Sequence, residues 1–287
     1  MNKLIDIHCH STCSDGEYTP FELIKLAHKQ NVGVFSITDH DIIDGTKQLD
    51  NLKDDLFYIH GVEMSAEFPT RSMHILGYDM DINNIKLNDM VVIKQKNSIY
   101  NLELLLNGLD HYYGISFSNE DIDELFSKKG NKGRPDLAKL CIKYGYTSTV
   151  KEAFDKYLID VYNKVCKDKK ELTKEEVIST LKHSNAFVSL AHPVLLKLKY
   201  EDLKKEILYL KSLGLDAIEV NHTEQNQEYR NMLREIVSEY NLLESGGTDY
   251  HGPLVKPDIE LGTGIKNNIH IKNLSLVDAI KQRKKSY

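Results

Sequence analysis

Leu4-Ile5-Asp6-Ile7-His8-Cys9-His10 carries a β-prone apolar stretch into a histidine pair, and Ser14-Asp15-Gly16 follows it closely. Alternation along a strand places His8 and His10 on one face and Cys9 on the other. Two imidazoles so placed can share one metal ion. Taken alone, the pair is weak evidence and reads more readily as two hydrogen-bonded surface or core histidines, so its meaning depends on the rest of the chain.

Working outward, short β-type runs recur at Leu4 to His10, Val34 to His40, Leu56 to Glu63, Met73 to Gly77, Phe187 to His192, Ala217 to Asn221 and Leu243 to Asp249. Amphipathic segments lie between several of them. In Pro20 to Gln30 the proline suits a first helical turn, and Phe21, Leu23, Ile24 and Ala27 give an apolar face. Strands alternating with helices imply an α/β fold with a parallel sheet.

The ends of these runs carry the chemistry. Thr38-Asp39-His40-Asp41, Gly61-Val62-Glu63, Met73-His74, Ala191-His192-Pro193 and Thr248-Asp249-Tyr250-His251-Gly252 put a metal-ligand residue at nearly every expected strand end. In α/β barrels the carboxyl ends of parallel strands converge on one face, so residues far apart in sequence meet there. Of the twelve histidines, His28, His60, His111, His183, His222 and His270 fall elsewhere. Most of these read as solvated or structural. His222 directly follows the run from Ala217 to Asn221 and is a candidate to touch substrate.

Residues 88–168 break the rhythm. Ile99 to Leu109, Glu120 to Ser127, Asp136 to Lys143 and Val150 to Leu158 are helical in pattern, with no buried strand among them. They read as a helical subdomain inserted into a domain formed by residues 1–87 and 169–287. Gly130, Gly133 and Pro135 form a loop between helices, and the lysine-rich stretch from Val165 to Lys174 is the return linker.

Composition limits the function class. With 287 residues and 41% hydrophobic content, the chain can bury one large core or a core plus an insertion. The 43 acidic and 37 basic residues are interspersed, giving a net charge of -6, so no strongly basic surface advertises duplex DNA. Cys9, Cys13, Cys141 and Cys166 form no CxxC pair and are expected to be reduced thiols. No apolar run reaches the roughly 18 residues needed to span a bilayer, and the first strand begins by Leu4; a soluble, cytoplasmic protein is the expectation. There is no G-x-x-x-x-G-K-[ST] phosphate loop and no G-x-S-x-G elbow, and Gly246-Gly247 reads as a tight strand end.

The ordered set of histidines and carboxylates resembles the PHP family, named for polymerase and histidinol phosphatase domains, over residues 1 to about 265. That resemblance implies a distorted, TIM-like (β/α)7 barrel with two or three divalent metal ions, manganese first, iron or zinc as alternatives. It implies that His8, His10, Glu63 and Asp249 hold one ion, that Asp15, His40 and His251 hold a second, and that His74 and His192 hold a third with Glu63 bridging. Some members have histidine where this chain has Asp15, which alters the second site. Carboxylates and imidazoles together suit those metals.

Three divalent ions would bring six positive charges against the three negative ones of Asp15, Glu63 and Asp249, leaving a site that attracts a phosphate dianion. A water between two such ions has a lowered pKa, and the hydroxide it yields can attack phosphorus in line without a protein nucleophile. Asp41 or His222 is a candidate to protonate the leaving group.

Gly133-Arg134-Pro135-Asp136-Leu137-Ala138, with Glu152-Ala153-Phe154-Asp155 and Tyr157-Leu158, is similar to one branch of the family. That branch contains 3',5'-nucleoside bisphosphate phosphatases that also act as 5'-to-3' exoribonucleases on short RNA. A guanidinium at Arg134, on a lid-like insertion, suits a bidentate grip on a second phosphate. The stretch Glu219-Val220-Asn221-His222-Thr223 departs from that branch, which leaves the nucleotide pocket open. Histidinol phosphate phosphatase, a metal-dependent amidohydrolase and a non-catalytic metal-binding module are the rival readings. Expected partners are a nucleoside bisphosphate or a short oligonucleotide, with neither duplex DNA nor membrane.

Overall fold

In the order of the chain, the computed structural model runs β1 (Leu4–Asp6), α1 (Pro20–Lys29), β2 (Val32–Phe35), α2 (Asp44–Gln48), β3 (Phe57–Tyr58), β4 (Gly61–Ala66) and β5 (Met73–Tyr78). A helical stretch follows: α3 (Ile85–Tyr113), α4 (Asn119–Ser127), α5 (Arg134–Lys143), α6 (Val150–Ala153), a π-helical turn over Phe154–Leu158, and α7 (Ile159–Val165). Next come α8 (Lys174–His183), β6 (Phe187–Leu190), a 3-10 turn over Pro193–Leu196, α9 (Tyr200–Leu213), β7 (Ala217–His222), α10 (Gln227–Glu239) and β8 (Leu243–Gly247). The chain closes with β9 (Ile259–Glu260), β10 (Gly264–Ile265) and α11 (Ser275–Lys285). Residues 3–69, 72–128, 130–165, 168 and 170–286 are described.

Helix α1 shows how local sequence sets an element. Thr19 accepts the Glu22 N–H while Glu22 returns a bond to the Thr19 N–H, Pro20 occupies the first turn, and Asn31 turns the chain out in a left-handed conformation. Leu23, Ile24 and Ala27 are buried. Phe21, expected on that face, is instead 53% exposed, because the stripe runs through positions 20, 23, 24 and 27 and position 21 points off it.

The sheet is mixed, which corrects the all-parallel expectation. β1 pairs with β2 and β2 with β3 in parallel, and β6, β7 and β8 are parallel in that order. β5, however, runs antiparallel to both β4 and β6. The connection over residues 67–72 is too short for the dozen or more residues a parallel crossover requires, so the chain turns back on itself. Hydrogen bonds beyond the named strands extend these ladders: Asp249 N–H donates to the His8 carbonyl at 2.8 Å, His10 N–H to Tyr250 at 2.9 Å, and Asp41 N–H to Glu63 at 2.8 Å.

The long helix α3 begins three residues before the expected start of the helical region, and no strand occurs between Ile85 and Val165 among the described residues. Leu102, Leu109, Leu137, Cys141, Leu158 and Val161 form an apolar cluster of their own there, apart from the clusters beneath the strands. Of the cysteines, Cys9, Cys13 and Cys141 are free thiols, whereas Cys166 and part of the expected return linker lie outside the described residues. No described helix is long and apolar enough to cross a membrane.

Candidate metal centre

Ionisable side chains gather where the strands end. The backbone there is forced into the left-handed region at three non-glycine positions, Asp41 (φ 55°), His192 (φ 26°) and Asp249 (φ 57°). Such conformations are costly and concentrate at functional sites. Two buried carboxylates fasten the local loops. Asp39 accepts the Ser11 N–H at 2.7 Å, the Ser11 hydroxyl at 2.7 Å and the Ser14 hydroxyl at 2.6 Å, which shapes the loop carrying Asp15. Asp6 accepts the Thr248 N–H at 2.9 Å and its hydroxyl at 2.6 Å, fixing the residue before Asp249.

Glu63 lies at the centre. Its Oε2 is 3.2 Å from His8 Nε2, 3.1 Å from His10 Nε2 and 3.2 Å from His40 Nδ1. Its Oε1 is 3.0 Å from His74 Nδ1 and 2.8 Å from His192 Nε2. Asp249 Oδ1 approaches His10 Nε2 at 3.2 Å and His8 Nε2 at 3.5 Å, and Asp15 Oδ1 is 3.4 Å from His251 Nε2. All nine expected ligands therefore converge. Within this cluster three sets have donor atoms lying within 4.8 Å of one another: His8, His10, Glu63 and Asp249; His10, Asp15, His40 and His251; and His40, Glu63 and His74.

The charges are strongly coupled. Burial opposes ionisation of Glu63, but His40, His8 and His74 outweigh it and hold the carboxyl well below the usual range. Burial likewise works against a proton on His10, yet Asp249 and Glu63 push it up to about 9. Burial depresses His40 well below an ordinary imidazole.

Six buried atoms, namely His8 Nε2, both His10 nitrogens, Asp15 Oδ1, His40 Nδ1 and Glu63 Oε2, have no hydrogen-bond partner. An orphaned buried polar atom costs about 1–3 kcal/mol. Converging nitrogens and carboxylate oxygens of this kind fit divalent cations such as manganese, iron or zinc.

These residues open onto a cavity of about 830 Å³ lined by Asp15, His40, His74 and His251 on one side and by Lys132 and Arg134 of the helical region on another. Gly130 (φ 93°) makes that approach possible, since a side chain there would begin 2.2 Å from the Cys13 carbonyl oxygen. Arg134 opens α5 with its guanidinium 4.4 Å from the Tyr162 ring centre and 5.8 Å from that of Phe154. Asp41 also lines the cavity and is 3.3 Å from the buried Lys94.

His222 occupies a different place. It is fully buried, its Nδ1 accepts the Glu224 N–H at 3.2 Å, its Nε2 faces Asp249 Oδ2 at 3.5 Å, and its ring lies 5.4 Å from that of His192; like His8, His10, Glu63 and Asp249 it does not itself line the cavity.

Two members of the cluster had not been singled out in the sequence. Lys256 Nζ lies 2.5 Å from Asp249 Oδ2, on a loop with no distinguishing pattern. Glu219, inside β7, lies 2.8 Å from His8 Nδ1. A carboxylate in the middle of an otherwise apolar run was the available signal.

No family model matches the chain. In sequence it is similar to a 5'-3' exoribonuclease of Haemophilus influenzae, 28% identical over 98% of this chain and 97% of the relative. It is also similar to a 3',5'-nucleoside bisphosphate phosphatase of Chromobacterium violaceum, 22% identical over 87% of each. Two solved structures share the fold. One, from Bifidobacterium adolescentis and assigned as a metal-dependent phosphoesterase, has a TM-score of 0.79 at 24% identity, covering 99% of this chain and 96% of that one. The other, an amidohydrolase from Chromobacterium violaceum, has a TM-score of 0.82 at 19% identity, covering 99% and 97%. The two relatives carry the names of the two activities of the branch recognised in the sequence, so that resemblance and the reading of the chain as a hydrolase are borne out.

Proposed function

We propose that this chain is a metal-dependent phosphoesterase that removes a phosphate from 3',5'-nucleoside bisphosphates and trims the 5' ends of short RNA. The observation that carries the reading is the convergence of orphaned, buried imidazole and carboxylate atoms on Glu63, at a cavity that Arg134 also lines. His8, His10, Glu63 and Asp249 would hold one divalent ion, Asp15, His40 and His251 a second, and His74, His192 and Glu63 a third. Bound there, such ions supply Lewis-acid charge and acidify water, which is the chemistry phosphoester hydrolysis needs.

The remaining residues bind and orient. Arg134, stacked on Tyr162, offers a planar cation for the phosphate that is not being hydrolysed. Lys256, beside Asp249, adds positive charge on the cavity wall. His222, fully buried with Nε2 3.5 Å from Asp249 Oδ2, steadies that carboxylate rather than meeting substrate. Asp41, 3.3 Å from the buried Lys94 and accepting the Ser65 N–H at 2.8 Å, lines the same cavity, where the Asp41–Lys94 pair, whose proton sits on Lys94, would supply the proton a leaving group takes up.

In the same reading the strands close into a distorted seven-stranded barrel, with β3 and β4 as one interrupted strand, and residues 88–168 are an insertion. Support comes from the Asp249-to-His8 and Asp41-to-Glu63 bonds, which join β1 to β8 and β2 to β4. The separate apolar cluster of the helical region supports the insertion.

Product analysis tests the substrate. Chromatography of manganese-loaded protein with adenosine 3',5'-bisphosphate, a 5'-phosphorylated RNA trimer, histidinol phosphate and a simple amide should show products from the first two. Turnover of histidinol phosphate alone moves the protein to that activity, and turnover of the amide alone moves it to the activity named for its Chromobacterium fold neighbour.

A further inference from the structure

Glu219 is fully buried, and its two carboxylate oxygens serve two histidines brought from different strands. Oε1 lies 2.8 Å from His8 Nδ1, at the end of β1. Oε2 accepts the backbone N–H of His192, just past β6, at 2.7 Å. A register shift in β7 between Glu219 and Asn221 turns Glu219 and His222, three residues apart, toward the same cluster. The Gln225 side chain donates to the Glu219 and Val220 carbonyls at 3.0 and 2.7 Å, holding that irregular backbone.

We infer that Glu219 is a positioning residue that prepares two metal sites at once, through the tautomer of His8 and the backbone of His192. A carboxylate opposite Nδ1 keeps the His8 proton there and leaves the Nε2 lone pair aimed at the space between Glu63 and Asp249. At His192 the N–H anchor holds a left-handed backbone, φ 26° and ψ 63°, in which ring Nε2 reaches Glu63 Oε1 at 2.8 Å. Asp15, His40 and His251 make no described hydrogen bond to Glu219, so the set they form is the internal control. The inference rests on the metal-centre reading of the site.

The test is metal binding rather than turnover. Metal-free wild-type, Glu219→Gln and Glu219→Asp proteins are titrated with Co2+ while the visible spectrum is followed, and Mn2+ uptake is counted by equilibrium dialysis. The glutamine amide cannot accept from both the His8 ring and the His192 backbone, so one bond is lost whichever way it turns. Aspartate keeps the charge but is one methylene short, and serves if the glutamine variant does not fold. The expected result is a weakening of about 10–100-fold for part of the bound metal, the scale of such outer partners, with an altered Co2+ spectrum, while the remaining metal binds as in wild type. Unchanged affinity and spectrum overturn the inference, as does equal weakening of all bound metal, which gives Glu219 a general structural role. A wild-type protein that takes up no metal overturns the metal-centre reading itself.

Discussion

Gly247 lies so close to His8 that a side chain on it would begin 2.4 Å from the His8 backbone nitrogen and 2.5 Å from its Cβ. Gly246 is pressed in the same way against Asn221, where a side chain would begin 2.8 Å from both Cβ and the carbonyl oxygen. The glycine pair therefore lets β8 fit flush between β7 and the strand that carries the first histidines. Gly247→Ala should lower stability by about 1–3 kcal/mol, the usual scale of overpacking, and should weaken metal binding by displacing His8. Thermal melting checks the first effect. A variant melting with the wild type would show that β1 and β8 do not meet this closely.

Asp249 combines a donor oxygen facing His8 and His10 with a second oxygen held by Lys256 and faced by His222. Asp249→Asn keeps the volume and removes the charge. Turnover should fall at least about 100-fold, since even the outer partners of metal ligands are worth 10–100-fold, while circular dichroism stays that of the wild type. Full activity in that variant contradicts the ligand assignment.

Arg134→Ala removes a guanidinium that lines the cavity and packs on the Tyr162 ring. The Michaelis constant for adenosine 3',5'-bisphosphate should rise by roughly 10–100-fold, matching about 1.5–3 kcal/mol for a charged hydrogen bond. That for adenosine 5'-monophosphate should change little. Equal changes for the two substrates assign Arg134 a different task.

Metal removal should also be visible without substrate. A ligand that binds only the folded chain at 100 times its dissociation constant adds about 2.7 kcal/mol, and each kcal/mol moves a chain of this size by roughly 2–4 °C. Saturating manganese should therefore raise the melting temperature by about 5–10 °C over protein dialysed against a chelator. Coincident melting curves would mean that the orphaned atoms around Glu63 bind no ion.

The convergence of the nine expected residues was legible because the ordered set of histidines and carboxylates resembles a known family; most stand at or just past the end of a β-type run, whereas Asp15 lies in the loop after β1 and His74 near the start of β5. Strand direction was not legible, since the two-residue period of β5 is the same whichever way the strand runs; only the short link over residues 67–72 pointed to the reversal. Glu219 escaped because a carboxylate inside a strand has no spacing signature, and the register shift that brings His222 to the same cluster follows it in the strand. The register shift between Glu219 and Asn221 also turns His222 into the interior, where its Nε2 faces Asp249. Lys256 arrives on a loop whose path local sequence does not determine.

Phosphate release from adenosine 3',5'-bisphosphate by dialysed protein, before and after manganese is restored, bears most directly on the site built around Glu63. Negligible release without metal and rapid release with it, abolished by Asp249→Asn, is the result expected of a metal-dependent phosphoesterase. Release that is the same with and without metal, or absent in both states, would contradict it.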